Sequence, residues 1–151
     1  MKRQHKLILG VGIGLLALWA VFRFLFEGWS VNGDAMRPTY GHGDLLLGYK
    51  LAYSGPEDVQ RGDVVVILHS PRGFQEYQVW RVRSLPGESV PLRDGSQSKL
   101  GSGEFFLLGD GPVALDSRSF GPVPFDRIQY KIVGRLVPAE WMGRSHSDNP
   151  R

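Results

Sequence analysis

From Leu7 to Phe22 the chain runs through sixteen uncharged, mostly apolar residues, and Arg23 interrupts before Phe24, Leu25 and Phe26. A helix over the uncharged run spans about 24 Å. Counting on to Phe26 reaches about 30 Å, the thickness of a bilayer core, with Arg23 snorkelling toward the headgroups. After Gly28 the pattern changes to short β-like runs: Asp44–Leu51, Asp63–His69, Glu76–Ser84, Glu104–Leu108 and Tyr130–Val137. Breakers rich in Gly, Pro and Asp stand between them, as at Ser54-Gly55-Pro56, Leu85-Pro86-Gly87 and Gly109-Asp110-Gly111-Pro112. No long amphipathic helix is predicted. The pattern gives a mainly β fold, an antiparallel barrel or curled sheets, behind one N-terminal transmembrane helix. Residues 1–6 form a basic end, 7–26 the anchor, 28–142 a single β domain and 143–151 a disordered tail. Asp94–Gly103 is predicted to be an exposed hairpin tip.

Charge sharpens the N-terminal reading. The net charge is +3, and removing Lys2, Arg3 and Lys6 leaves 15 basic side chains against 15 acidic ones. Positive charge gathered beside an apolar run orients a membrane segment, with the N-terminus cytoplasmic and the domain periplasmic or extracellular. It does not make a nucleic-acid surface, so no nucleic-acid partner is expected. Trp19 and Trp29 are expected at the membrane interface. A cleaved secretory signal is the competing reading, but the small residues Ala17 and Ala20 are spaced A-x-x-A with Trp19 between them. Gly10 and Gly14 form a G-x-x-x-G spacing, interrupted by Gly12, that gives only a weak signal for helix pairing.

Candidate chemistry is sparse. The chain has no cysteine, which excludes a disulfide, a thiolate metal site and a cysteine nucleophile. His42 lies between two glycines, in the setting of a turn residue, and Asp34 alone supplies no carboxylate dyad. Arg61-Gly62-Asp63 feeds the apolar run Val64–Leu68 and reads as a turn, not as an adhesion tripeptide. Lys50 and His69 carry no motif. His146 falls in the predicted mobile tail, and neither a metal nor another cofactor is expected.

Four ordered blocks do carry a motif. They are Gly33-Asp34-Ala35-Met36-Arg37-Pro38-Thr39, Gln60-Arg61-Gly62-Asp63-Val64-Val65-Val66, Trp80-Arg81-Val82-Arg83-Ser84-Leu85-Pro86-Gly87-Glu88, and Gly109-Asp110 followed by Asp116-Ser117-Arg118-Ser119-Phe120-Gly121. Together, from Trp29 to Trp141, they resemble the type I signal peptidases (leader peptidases). The resemblance implies a β-rich domain outside the cytoplasm in which a serine attacks the preprotein, a lysine acts as its base and a second serine orients the lysine. Serine is a weak nucleophile until a partner takes its proton, and the lysine serves only when desolvated and neutral.

Carried over position by position, the nucleophile falls on Ala35, the general base on Trp80 and the base-orienting serine on Ala114. The family's glycine and asparagine fall on Ser84 and Gly111. Gly33, Met36, Pro38, Thr39, Arg81, Asp116, Ser117 and Arg118 retain the supporting motif, with Asp116 and Arg118 expected to form an ion pair behind the active-site loop. Trp80 is expected to fill the pocket a lysine would enter. The resemblance then implies a catalytically inactive, membrane-anchored protein. It would bind preprotein or pilin-like segments as an accessory factor or chaperone, beside the lipid bilayer and an active signal peptidase. The alternative is an active signal peptidase in which Ala35 is an engineered replacement of the natural serine, although Trp80 and Ala114 are then further departures.

Overall fold

The structure, a computed structural model, describes residues 2–69, 75–92, 94–112 and 114–142. The tail from Gly143, with His146, lies outside the described residues. The apolar N-terminal run forms helix α1 (Lys2–Leu25), whose Ile8–Leu25 portion is long and apolar enough to cross a membrane and has none of its residues buried. An apolar helix that buries nothing within its own chain fits a bilayer as its solvent. The helix stops at Leu25, and Phe26 opens a strand with no linker. Gly10, Gly12 and Gly14 have no neighbours within 4 Å of a Cβ position, so each is open toward the helix surroundings.

The strands are β1 (Phe26–Ser30), β2 (Leu45–Tyr49), β3 (Val64–His69), β4 (Glu76–Ser84), β5 (Ser89–Pro91), β6 (Gln97–Lys99), β7 (Glu104–Leu108), β8 (Val123–Pro124) and β9 (Ile128–Val137), with a short helix α2 (Ser117–Phe120) before β8. Seven form one sheet in the order β1-β2-β9-β3-β4-β7-β8, and β5 and β6 pair as a separate hairpin. Every pairing is antiparallel, in agreement with the turn-rich pattern.

Strands β4 and β7 match the hydrophobic runs residue for residue, whereas β1, β5, β6 and β8 have no run of their own. Phe26–Ser30 is a strand because it pairs with all of β2, Phe26 opposite Tyr49 through Ser30 opposite Leu45. That pairing draws Trp29 into the domain: its ring packs between Tyr77 and Tyr130, with centroids 4.8 and 4.9 Å away. The predicted tip also shortens. Ser89–Pro91 pairs with Gln97–Lys99, and Leu100 is buried against Val90 and Phe106, so only the turn around Asp94–Ser96 projects.

The sheet curls so that both faces are covered. One face buries Val65, Ile67, Trp80, Val82, Phe105 and Leu107, and the other buries Val31, Met36, Leu46, Val64, Val66 and Ile132. The period-two alternation along β3 and β4 makes this partition: odd positions of β3 meet one core and even positions the other.

Candidate functional site

The loop after β1 is pinned at its base before it reaches Ala35. Val31 N–H donates to Asp44 O at 2.9 Å and Gly43 N–H to Val31 O at 2.8 Å. Asp44, buried, accepts from Gly41 N–H (3.0 Å), the Arg135 guanidinium (3.0 Å) and Ala139 N–H (2.9 Å). Gly33 takes φ +91°, a conformation that side-chain-bearing residues rarely adopt, and its N–H donates to His42 Nδ1 at 3.1 Å. His42 is thus a turn residue with a task, tying the loop to its own return. Asp34 pairs with Arg37 at 2.7 Å, and that hydrogen bond holds its carboxyl below the usual carboxylate range. Both partners are solvent-exposed.

Ala35 and Met36 then part to opposite faces. Ala35 packs against the core containing Trp80, and Met36, 1% exposed, sits in the core containing Val66. Trp80 is buried as well, and its indole N–H donates to Gln78 Oε1 at 3.1 Å. Gln78 is a site residue the motif comparison missed. The signal available in the sequence was its spacing, since residues two apart on a strand share a face. Ala114 packs on the same core.

The three positions meet over Gly109. A Cβ placed on Gly109 would lie 2.5 Å from Ala35 O, 2.6 Å from Ala114 Cβ and 3.1 Å from Trp80 Cζ3. Gly111 N–H donates to Ala35 O at 2.9 Å, drawing the 109–112 loop onto the 33–36 loop. Residues far apart in the chain thus close on one point. Methyl groups, an indole and backbone line it, and none of the three side chains has a hydroxyl or an aliphatic amine.

A polar frame surrounds that apolar point. Arg81, next to Trp80 but on the other face of β4, donates to both carboxylate oxygens of Asp110 at 2.8 and 2.6 Å and to Gly62 O at 2.9 Å. Thr39 Oγ1 donates to the same Asp110 at 2.6 Å. The Arg81 guanidinium, then the Thr39 hydroxyl, hold the Asp110 carboxyl below its usual range, against the opposing effect of burial. Pro38 is exposed in the turn between Met36 and Thr39.

The second half of the frame lies behind Ala114. Asp116 is fully buried, caps α2 by accepting from Arg118 N–H at 3.1 Å, and accepts from Gly109 N–H at 3.1 Å. The Arg118 guanidinium donates to both its oxygens at 2.9 and 2.8 Å. Ser117, also buried, accepts from Leu107 N–H at 3.0 Å. Arg61-Gly62-Asp63 is a turn: Arg61 donates to Arg83 O and Glu88, and Asp63 is held by Lys131 and Tyr53. Among the described residues, no group of three His, Asp or Glu side chains is arranged to hold a metal ion.

A cleft of about 310 Å³ opens beside Ala35. One wall is the Ser30–Asp34 segment and the other is the first half of β4, Glu76–Trp80, with Met36 and Val66 at the floor and Leu115 at the rim. That half of β4 pairs with β3 on one side, but β7 joins the other side only from Arg81 onward. Among the described residues the edge of Glu76–Trp80 toward the cleft therefore has no strand partner, the condition under which an extended chain can add to a sheet. The charged residues lining the cleft are Asp34 and Glu76, both acidic.

Comparison with known proteins places this arrangement. The family model described as "Signal peptidase, peptidase S26" matches residues 4–96, which include Ala35 and Trp80 and end before Ala114. Mitochondrial inner membrane protease subunit 1 of Schizosaccharomyces pombe is 30% identical over 134 residues, covering 85% of each chain. Mitochondrial ATP-independent inner membrane protease subunit 1a of Arabidopsis thaliana is 32% identical over 138 residues, 85% of this chain and 81% of the relative. Signal peptidase I P of Bacillus subtilis subsp. natto is 29% identical over 130 residues, 81% of this chain and 68% of the relative.

Proposed function

Because the chain belongs to the signal peptidase family, peptidase S26, we propose that it is a membrane-anchored member that binds extended polypeptide segments without cutting them. The observation that carries this reading is the convergence of Ala35, Trp80 and Ala114 over Gly109. The resemblance assigns nucleophile, base and base-orienting group to these three positions. A methyl group cannot attack a carbonyl, and an indole N–H already donating to Gln78 cannot accept a proton. The cleft beside them needs only backbone groups to hold a strand, and those remain. Burying the Trp80 indole in place of a lysine stabilises the domain by about 2–3 kcal/mol on the transfer scale. A protein so altered loses turnover but keeps the fold and the strand slot.

On this reading α1 holds the N-terminus on the cytoplasmic side. In a bacterial envelope the domain faces the periplasm or the exterior and meets preprotein or pilin-like segments as an accessory factor, beside an active peptidase. The relatives named as proteases and signal peptidases favour a second reading, an active endopeptidase in which Ala35 stands where the natural chain has serine.

Incubating the full-length protein in detergent with a preprotein separates the two. Neither the chain as it stands nor Ala35→Ser is expected to cut, and Ala35→Ser with Trp80→Lys is expected to stay inert because Ala114 leaves the lysine unoriented. Cleavage by Ala35→Ser alone establishes the second reading. The first also requires saturable binding of an extended peptide and fails without it.

A further inference from the structure

The last four carbonyls of a helix have no partner within it, and an unpaired carbonyl is costly where water is scarce, as at the edge of a bilayer core. Two of these four in α1, Arg23 O and Leu25 O, are met by one residue from another part of the chain. Lys50, just past the end of β2, donates its backbone N–H to Leu25 O at 2.8 Å and its ammonium to Arg23 O at 3.1 Å. The same ammonium pairs with Glu27 at 2.8 Å, and Glu27 also accepts from the Arg23 guanidinium at 3.3 Å. A cation at the C-terminal end of a helix is favoured by its dipole as well. Rings run across the same join. Phe22 of α1 stacks on Phe26 of β1 with centroids 5.0 Å apart, and Phe26 meets Tyr49 of β2 at 5.3 Å. Three segments thus close on one another: the last turn of α1, the start of β1 and the end of β2.

We propose that Lys50 latches the membrane helix and the β domain into one rigid body, and so holds the cleft at a fixed height and tilt over the bilayer. A domain on a flexible linker takes many poses above the membrane. Here Leu25 is followed at once by Phe26, so helix passes into sheet with no linker. Continuity of the backbone does not by itself fix the angle, because φ and ψ at the join stay free to turn. Bonds from Lys50 to both sides of the join remove that freedom: its ammonium holds Arg23 O on the helix and Glu27 on the strand. One wall of the cleft, Ser30–Asp34, continues β1. The five residues of β1, at about 3.3 Å each, put the start of that wall about 16 Å of chain from the helix end. Whatever fixes β1 on α1 therefore fixes the cleft. This coupling depends on α1 being the anchor and is the same whether the cleft cuts, binds or does neither.

The chain has no cysteine, so spin labels can be introduced in pairs with no native thiol to remove. The test uses the full chain in phospholipid nanodiscs, labelled through Ile13→Cys on the exposed surface of α1 and Gln60→Cys on the exposed surface of the domain. Double electron–electron resonance reads the spread of distances between them. A second pair, Gln60→Cys with Lys99→Cys, reports on the domain alone. Inserting Gly-Ser-Gly-Ser between Leu25 and Phe26 sets the width of an uncoupled helix. The parent chain is expected to give one peak of about half that width, and Lys50→Met to broaden it about twofold. Lys50→Arg, which keeps the charge and the donors, is expected to restore most of the narrowing, with the distances within the domain unchanged throughout. Should Lys50→Met also spread the pair within the domain, Glu27→Gln supplies the comparison, since it removes only the charge facing the ammonium, and broadening is again expected. A parent distribution as wide as that of the insertion overturns the rigid body. A peak that stays narrow in both Lys50→Met and Glu27→Gln overturns the latch.

Discussion

Trp80 and Arg81 are neighbours in β4, yet they belong to two regions built on opposite principles. Around Trp80 the contacts are apolar and converge with Ala35 and Ala114 on Gly109. Around Arg81 and Asp116 the contacts are charged, bidentate and satisfied on every side. The first region occupies the positions the family resemblance gives to chemistry, and the second those it gives to support. The alternation of a strand lets the two be altered independently, since residues 80 and 81 project to opposite faces of β4. Losing a reactive group costs a fold little when the vacancy fills with carbon. Losing a supporting carboxylate leaves buried donors with no acceptor. The difference teaches that retention of the frame reports on the fold and carries no information about turnover.

The comparison breaks if the frame proves dispensable. Asp116→Ala strips acceptors from Gly109 N–H, Arg118 N–H and the Arg118 guanidinium at a fully buried site. It is expected to cost about 3 kcal/mol, the upper end of the penalty for leaving donors without their acceptor, since the half-exposed Arg118 guanidinium can turn to water. Chemical denaturation of the full-length protein in detergent measures it, and a loss below about 1 kcal/mol means the frame does not hold the loop.

The convergence itself is tested at Gly109. Any Cβ there would stand 2.5 Å from a backbone oxygen and 2.6 Å from Ala114 Cβ, and a backbone atom gives way only if a loop moves. Gly109→Ala is expected to cost about 2–3 kcal/mol, the upper part of the range for overpacking. It should also perturb Trp80 fluorescence, because Cζ3 of that ring is the third contact. An unchanged stability and spectrum would separate the three positions that the geometry brings together.

Much of this was legible in the sequence, and unevenly so. The strand runs Glu76–Ser84 and Glu104–Leu108 were readable because each is dense in β-branched and apolar residues. Phe26–Ser30 was not, because its apolar residues continue those of the helix and only the pairing with β2 makes it a strand. At the site, motif order placed Ala35, Trp80 and Ala114, and the fold gathers them at one glycine. The sequence concealed which groups hold them there. Asp110 serves Arg81 and Thr39 at once, 29 and 71 residues away in the chain, contacts that no local pattern encodes, whereas Gln78, which accepts from the Trp80 indole N–H, was signalled only by its spacing on the strand. The cleft was hidden too, since it exists only because β7 stops pairing with β4 at Arg81.

Within the frame, the Arg81–Asp110–Thr39 link is more exposed than Asp116 and should be worth less. Asp110→Asn is expected to cost about 1.5–2 kcal/mol, the lower part of the range for hydrogen bonds to charged groups. The link also carries a pH signature. The Asp110 carboxyl is depressed in the folded state, so its contribution is complete above the unfolded carboxylate pKa of about 4 and is lost as pH falls through the lower folded value. The wild-type chain should therefore lose stability on acidification below about pH 4 more steeply than Asp110→Asn. Parallel denaturation curves at pH 7 and below pH 4 show the difference, and identical slopes would remove Asp110 from the frame.

The smallest effect is expected where the chemical consequence would be largest. Ala35→Ser adds one hydroxyl to a half-buried residue at the edge of an open cleft, where water can reach it. A polar group costs little when its hydrogen bonds can be met, so the change in stability should stay under about 1 kcal/mol. Thermal unfolding beside the parent chain measures it. A small shift with no gain of cleavage would mean that position 35 is structurally permissive and that the vacancy at 80 keeps the site silent. A loss approaching that of Asp116→Ala would mean that carbon at 35 is packed as strictly as the frame around it, and the contrast between the two regions would then dissolve.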